Sequence, residues 1–377
     1  MSKKLKKKSA TSAKVTPKKK IKKKLRKAKI QKSLFPFRWV HPQKGKPFVS
    51  VDKSLFIDYL AARLGFAWVD VDGERTAVLR DAYGFYYTID KADINREIAL
   101  QLGRVADMDG EAVTSKDLAL FPKVSAIQER VLLLASGAIP MLSMDDFLHD
   151  TRTTMHFFLV RDYIQVTKDG FAILQYDTPL FSGKPVRVWA SQVLKKKTRD
   201  GEFVYQDISA AEIEGYSHDG LFEQFVHNIS DVSILKAVNK TQEEYKNDVL
   251  AILGHCLHSY SDSASTRMTV ILDDAIGEYD EAQGGTGKGV LTNFLKHFRA
   301  HSEIDGRQDT GHERFSLSGV TLATQCIIIN DLFPLLLKPW YSKITDGFVF
   351  ERKHENKITF PADRSPKLIV TSNGAAQ

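Results

Sequence analysis

Glu281-Ala-Gln-Gly-Gly-Thr-Gly-Lys-Gly289 is the stretch on which the fold turns. Gly284, Gly285 and Gly287, set around Thr286, let backbone N–H groups converge on a phosphate, since a Cβ there would block positive-φ turns. Lys288 supplies a cation able to reach β- and γ-phosphates. Val290, Leu291, Phe294, Leu295 and Phe298 follow with helical spacing. The loop is therefore expected to open a helix, whose N-terminus favours anions. Residues 284–290, from Gly284 through Lys288 and Gly289 to Val290, form the expected ATP-binding set. The apolar run 268–272 upstream reads as the preceding strand. Two departures from the standard phosphate loop stand out. Ala282 occupies the place of the first glycine, and Gly289 replaces the Ser/Thr whose hydroxyl contacts magnesium.

Two later segments complete the arrangement. Residues 325–331, Gln-Cys-Ile-Ile-Ile-Asn-Asp, read as an apolar strand ending in Asn330 and Asp331, the pair expected to hold Mg²⁺ and orient water; here and at 367–373 a buried parallel strand that simply ends in polar loop residues is the plain alternative. Residues 367–373, Lys-Leu-Ile-Val-Thr-Ser-Asn, read as a second apolar strand ending in the amide of Asn373. Between them, 343–360 suggests two strand-like pieces around a basic tip bearing Arg352, Lys353 and Lys357. Cations at such a tip can track a sugar-phosphate backbone. A solvated charged hairpin is the plainer reading.

The ordered series GGTGKG, CIIIND, KITDGFVFERKHENK and KLIVTSN resembles the A, B, B′ and C motifs of superfamily 3 helicases. More narrowly, it looks like the helicase region of D5-like viral and phage primase-helicases and primase-polymerases. The match is strongest over 266–377. The resemblance implies an α/β, three-layer P-loop core whose sensor strand lies between the phosphate-loop strand and the acidic strand. It assigns Lys288 to phosphate charge, Asp331 to Mg²⁺ or to water as a base, and Asn373 to the attacking water. Arg352 and Lys353 fall in the DNA-gripping hairpin of a hexameric ring acting on single-stranded or forked DNA, with a separate primase or polymerase as a further partner. The family usually carries two consecutive acids where this chain has Asn330-Asp331, so slow hydrolysis is expected. A fifth core strand and an arginine finger would lie beyond Asn373, so the core is expected to be truncated at its C-terminus.

The rest of the 377 residues sets the context. The formal charge of +8 divides sharply: residues 1–32 hold 16 Lys/Arg and no acid, leaving 38 basic and 46 acidic side chains in 33–377. The tail (1–33) is expected to be disordered and suits either a non-specific nucleic-acid arm or a solubilising tail. Two cysteines exclude a disulfide framework and a four-cysteine zinc module. Without an apolar run of membrane length or a signal peptide, a cytoplasmic protein with no membrane partner is expected.

Residues 34–145 read as a small α+β domain, 146–240 as a β-rich then helical region, and 241–377 as the ATPase core. Predicted helices cover 54–64, 92–102, 125–135 and 234–260, the last continuing a stretch that starts after Asp219. Predicted strands cover 67–71, 75–79, 84–89, 155–160, 163–167, 171–176 and 186–189. Asp70-Val-Asp72 resembles the paired carboxylates of a primase site, but Asp72-Gly73 is a hairpin turn signal and the turn is preferred. His255-Cys-Leu-His258 lies in a helical apolar pattern that favours core packing over zinc. Trp189 near Lys195, Lys196, Lys197 and Arg199 could stack on a nucleic-acid strand, with a solvated loop the plainer alternative. Two other function classes stay open. One is a replication initiator or scaffold that binds nucleotide and DNA but hydrolyses poorly; the other is a small-molecule P-loop kinase.

Overall fold

A computed structural model describes residues 38–41, 48–108, 139–176, 185–206, 220–231, 235–236, 238–262, 264, 267–273, 287–308, 316–336, 338–345, 348–351, 357–360 and 362–373. The expected helix over 125–135 and the lysine tail lie outside these residues, as do Gly284, Gly285, Thr286, Arg352 and Lys353. Two compact units are present, and the first contains described residues 38–63 and 95–108. The second takes in Leu64–Ile94 and everything from Ile139 onward. The expected boundaries near 145 and 240 both fall inside this second unit.

In the first unit, β1 (Arg38–His41) and β2 (Phe48–Val51) pair antiparallel. Helix α1 (Lys53–Ala62) starts where the Asp52 carboxylate accepts the Leu55 N–H at 3.2 Å, satisfying an amide that has no partner within the helix. Most of α2 (Ile94–Met108) also belongs here, with Ile98 and Leu102 buried.

The second unit begins with β3 (Ala67–Val71), β4 (Glu74–Arg80) and β5 (Tyr86–Ile89), joined at one edge by β6 (Met141–Ser143) in the order β5-β4-β3-β6. Asp72 and Gly73 both have positive φ, and the Asp70 carboxylate accepts the Gly73 N–H at 3.1 Å. Asp70-Val-Asp72 thus builds a tight hairpin turn. A meander of β7 (Met155–Phe158), β8 (Asp162–Thr167) and β9 (Gly170–Gln175) follows, then a ribbon of β10 (Lys195–Lys197) and β11 (Phe203–Tyr205). The expected strand over 186–189 reduces to a single bridge between Trp189 and Tyr86. Trp189 is buried, with its ring stacked 3.9 Å from Phe147, and so cannot meet a base.

Two helices precede the core sheet, α3 (Leu221–Ile229) and α4 (Gln242–Leu257). The helix expected from 234 starts only after Thr241. Asn239 has positive φ, and Thr241 and Glu244 form a reciprocal capping box that fixes the start. At its C-terminal end Cys256 packs in the core with Sγ 3.3 Å from the Thr269 hydroxyl, and the His258 ring contacts the Thr151 carbonyl at 2.7 Å. Both cysteines are buried. Burial raises the Cys256 thiol and pushes Cys326 up to about 12, so neither is poised as a nucleophile.

The core sheet consists of β12 (Met268–Leu272), β13 (His301–Asp305), β14 (Cys326–Asn330) and β17 (Lys367–Ser372), all parallel, in the order β12-β17-β14-β13. Helix α5 (Lys288–Phe298) links β12 to β13; α6 (Lys338–Thr345) and a hairpin of β15 (Val349–Phe350) and β16 (Ile358–Thr359) link β14 to β17. Lys343–Thr345 therefore belongs to a helix, and only 349–350 and 358–359 realise the expected strand pieces. β17 lies between β12 and β14, the strand order the resemblance implies. β13 is an edge strand that the pattern reading passed over.

Side chains of alternate parity leave the sheet on opposite faces. Cys326, Ile328 and Ile369 pack with Val226 of α3, Leu253 of α4, and Leu291 and Leu295 of α5. On the other face Ile327, Ile329, Leu368 and Val370 pack with Trp340 of α6, the hairpin residues Phe350 and Ile358, and Val69, Val78 and Leu142 of the β3–β6 sheet. One apolar core therefore runs from the antiparallel sheet into the parallel one.

Candidate nucleotide site

The head of α5 is built by Gly287, whose φ of +93° is a left-handed conformation. A Cβ on Gly287 would also lie 2.8 Å from the Phe225 ring and 3.4 Å from Ile229 Cγ2, so α3 closes directly over this residue. Glycine is required both by backbone and by space. Its carbonyl accepts the Val290 N–H at 2.9 Å and the Leu291 N–H at 3.2 Å, starting the helix.

Lys288, the first residue of α5, has a side chain only 12% exposed. Its ammonium donates to Asn373 Oδ1 at 2.6 Å and forms an ion pair with Asp273, the residue immediately after β12. Asp273 is itself 7% exposed. Two of the sequence elements, the glycine loop and the strand ending in Asn373, therefore meet at one ammonium group. Asp273 is a third participant that motif reading missed.

The third element is tied in through the backbone. Asp331 has φ +51°, a left-handed conformation in which Asp is tolerated. Its N–H donates to Thr371 Oγ1 at 2.9 Å, the Leu332 N–H donates to the Thr371 carbonyl at 2.8 Å, and the Ser372 hydroxyl donates to the Leu332 carbonyl at 2.7 Å. The end of β17 thus clasps the turn that carries Asp331. The carboxylate of Asp331 is 43% exposed, with Arg307 Nη2 at 3.6 Å.

Gly306 presses on the same turn. Its N–H donates to the Asn330 carbonyl at 2.7 Å, and a Cβ there would fall 2.5 Å from Leu332 Cα and 2.7 Å from Leu332 N. These neighbours are backbone and cannot rotate away. Gly306→Ala is expected to cost about 1–3 kcal/mol in chemical denaturation, as overpacked sites do. A wild-type unfolding midpoint would show that the turn can give way.

Asn330 points toward β13. Its amide donates to Glu303 at 3.0 Å, and Glu303 in turn accepts from Lys296 of α5 at 2.6 Å. Against the cost of burial, Lys296 and Asn330 hold the Glu303 carboxyl below the usual carboxylate range. Mg²⁺ is commonly held by one or two carboxylates together with substrate phosphates and waters. Asp331 with Asn330 Oδ1 meets that minimum. The missing hydroxyl at Gly289 and the amide at 330 make it a lean donor set. Among the described residues no group of three or more His, Cys, Asp or Glu is arranged to hold a metal.

Lys357, next to β16, is exposed. No helix among the described residues is long and apolar enough to cross a membrane. Comparisons with protein-family models and with curated proteins gave no match.

Proposed function

We propose that this chain is a P-loop ATPase of the superfamily 3 helicase type, coupling ATP hydrolysis to movement on single-stranded DNA during replication of a virus, phage or mobile element. The observation that carries this reading is the meeting of Lys288 with Asn373 across the sheet, on a strand order of β12-β17-β14-β13. In this reading the α5 N-terminus and Lys288 take the β- and γ-phosphates, whose charge the ammonium offsets. Asn373 directs the attacking water through its amide, and Asp331 acts either through Mg²⁺ or as the base toward that water. Asp331 and Asn330 would hold Mg²⁺, which supplies charge neutralisation on the phosphates. Lys357, with Arg352 and Lys353, grips DNA in a homo-oligomeric ring, and a separate primase or polymerase is a natural further partner.

The second reading, a nucleotide- and DNA-binding initiator or scaffold with little turnover, is favoured by one observation. The Asn330 amide is committed to Glu303, where the family usually places a second acid. ATP turnover with and without single-stranded DNA separates the two. The motor reading expects Mg-dependent turnover that DNA raises several-fold. Nucleotide affinity without turnover establishes the scaffold, and turnover indifferent to DNA points to the small-molecule kinase.

A further inference from the structure

The β10–β11 ribbon carries three consecutive exposed lysines opposite an apolar strand. Its register pairs Lys195 with Tyr205, Lys196 with Val204, and Lys197 with Phe203. Directly opposed residues share a face, so Lys195 and Lys197 stand beside aromatic rings. The Lys195 ammonium lies 5.1 Å from the Tyr205 ring centroid and the Lys197 ammonium 5.9 Å from that of Phe203. Phe203 is 68% exposed, and Tyr83, edge-on to Tyr205 at 5.0 Å, is 62% exposed.

The ribbon is firmly held. Tyr205 donates its hydroxyl to Asp81, and burial together with that carboxylate raises the phenol so that it stays protonated. The Gln206 N–H donates to the Leu194 carbonyl at 2.8 Å, and the Leu194 N–H to the Phe158 carbonyl at 2.8 Å, joining the ribbon to β7. At the tip Gly201 takes positive φ and its N–H closes on the Thr198 carbonyl at 3.0 Å.

A hydrogen-bonded ribbon that sets exposed rings beside cations matches one ligand chemistry, an unpaired polynucleotide. Rings accept bases of any identity by stacking, and ammonium groups neutralise the adjoining phosphates. We propose that the β10–β11 ribbon with Tyr83 is a binding platform for single-stranded nucleic acid, separate from the basic hairpin after β15. Lys195 and Lys197 contact phosphates, and Phe203 and Tyr83 stack on bases. The inference is independent of the nucleotide-site reading, because none of its residues touches Lys288, Asp331 or Asn373.

The test uses the full chain and a fluorescent oligo-dT. Phe203→Ala is expected to weaken binding about tenfold or more at fixed salt, Phe203→Tyr to retain it, and neither to alter nucleotide binding. Lys195→Gln with Lys197→Gln is expected to reduce the slope of log affinity against log salt by about 1.4, the share of two single-strand phosphate contacts. Oligo-dT carrying a photoreactive base is expected to cross-link to Phe203 or Tyr83. Wild-type affinity for Phe203→Ala, an unchanged salt slope for the lysine pair, or cross-links that avoid both rings overturns the proposal.

Discussion

Replacing Lys288 with alanine is expected to lower ATP turnover by about 10²–10³-fold, the usual effect of removing one preorganised charge-stabilising donor. The same substitution strips Asp273 of its ammonium partner at a site only 7% exposed. Loss of that ion pair weakens the compensation of a buried carboxylate, so thermal stability should also fall. A loss of activity in this variant alone would therefore not separate chemistry from folding. Asn373→Ala makes the separation, since Asn373 is exposed at the end of its strand. It should reduce turnover by about 10²-fold while lowering the melting temperature less than Lys288→Ala does, because Lys288 keeps its ion pair with Asp273. Wild-type turnover in both variants would falsify the motor reading.

The second large effect concerns stability. Arg299, the residue capping the C-terminus of α5, and Asp150 form an ion pair at 3.3 Å with both side chains 1% exposed. Arg299 also donates to the His156 carbonyl at 2.8 Å and lies 4.5 Å over the Phe157 ring. Asp150 accepts from the His156 N–H at 2.7 Å and from the Ser259 N–H and hydroxyl at 2.8 Å each. Arg299→Met, which strands the carboxylate, is expected to cost about 3–5 kcal/mol in urea unfolding. Combining it with Asp150→Asn should cost less than the sum of the two single changes, the signature of coupled partners.

The same pair sets a pH dependence. Burial opposes ionisation of Asp150, but Arg299 and the bonds from His156 and Ser259 hold its carboxyl down to about 2. A carboxyl depressed by folding contributes stability that is complete above the unfolded value near 4. That contribution disappears as pH falls through about 2. Its size is about 2 kcal/mol. Arg299→Met should flatten this acid limb; an equally steep limb in the variant would mean other carboxylates set it.

How much of this could be read beforehand depended on whether the signal was local. The turn at Gly287, the helix behind it and the two apolar strands were legible because backbone freedom, helical spacing and apolar runs are written in adjacent residues. The family resemblance then implied the strand order that brings Lys288 and Asn373 together. β13 escaped because His301-Ser-Glu-Ile-Asp305 buries only alternate residues at a sheet edge, and exposed charges there masked the apolar pattern. Asp273 carried the same signal as Asp331, an acid closing an apolar run, yet nothing local ties it to a lysine 15 residues on. Asp150 and Arg299 are 149 residues apart, and their pairing is purely tertiary. The discontinuous division of the described residues up to 108 between the two units is likewise a matter of contacts rather than composition.

The locked far end of α5 has a mechanical consequence. The helix spans 11 residues, about 16 Å of stiff rod, from the ammonium of Lys288 to the guanidinium of Arg299. Its tail is tied to β7 by the hydrogen bond from Arg299 to the carbonyl of His156. That strand also carries Phe158, from which the lysine-bearing ribbon hangs. A hydrogen bond from Arg299 to β7 and another from Leu194 to the same strand therefore place the end of α5 and the root of the ribbon on one shared support.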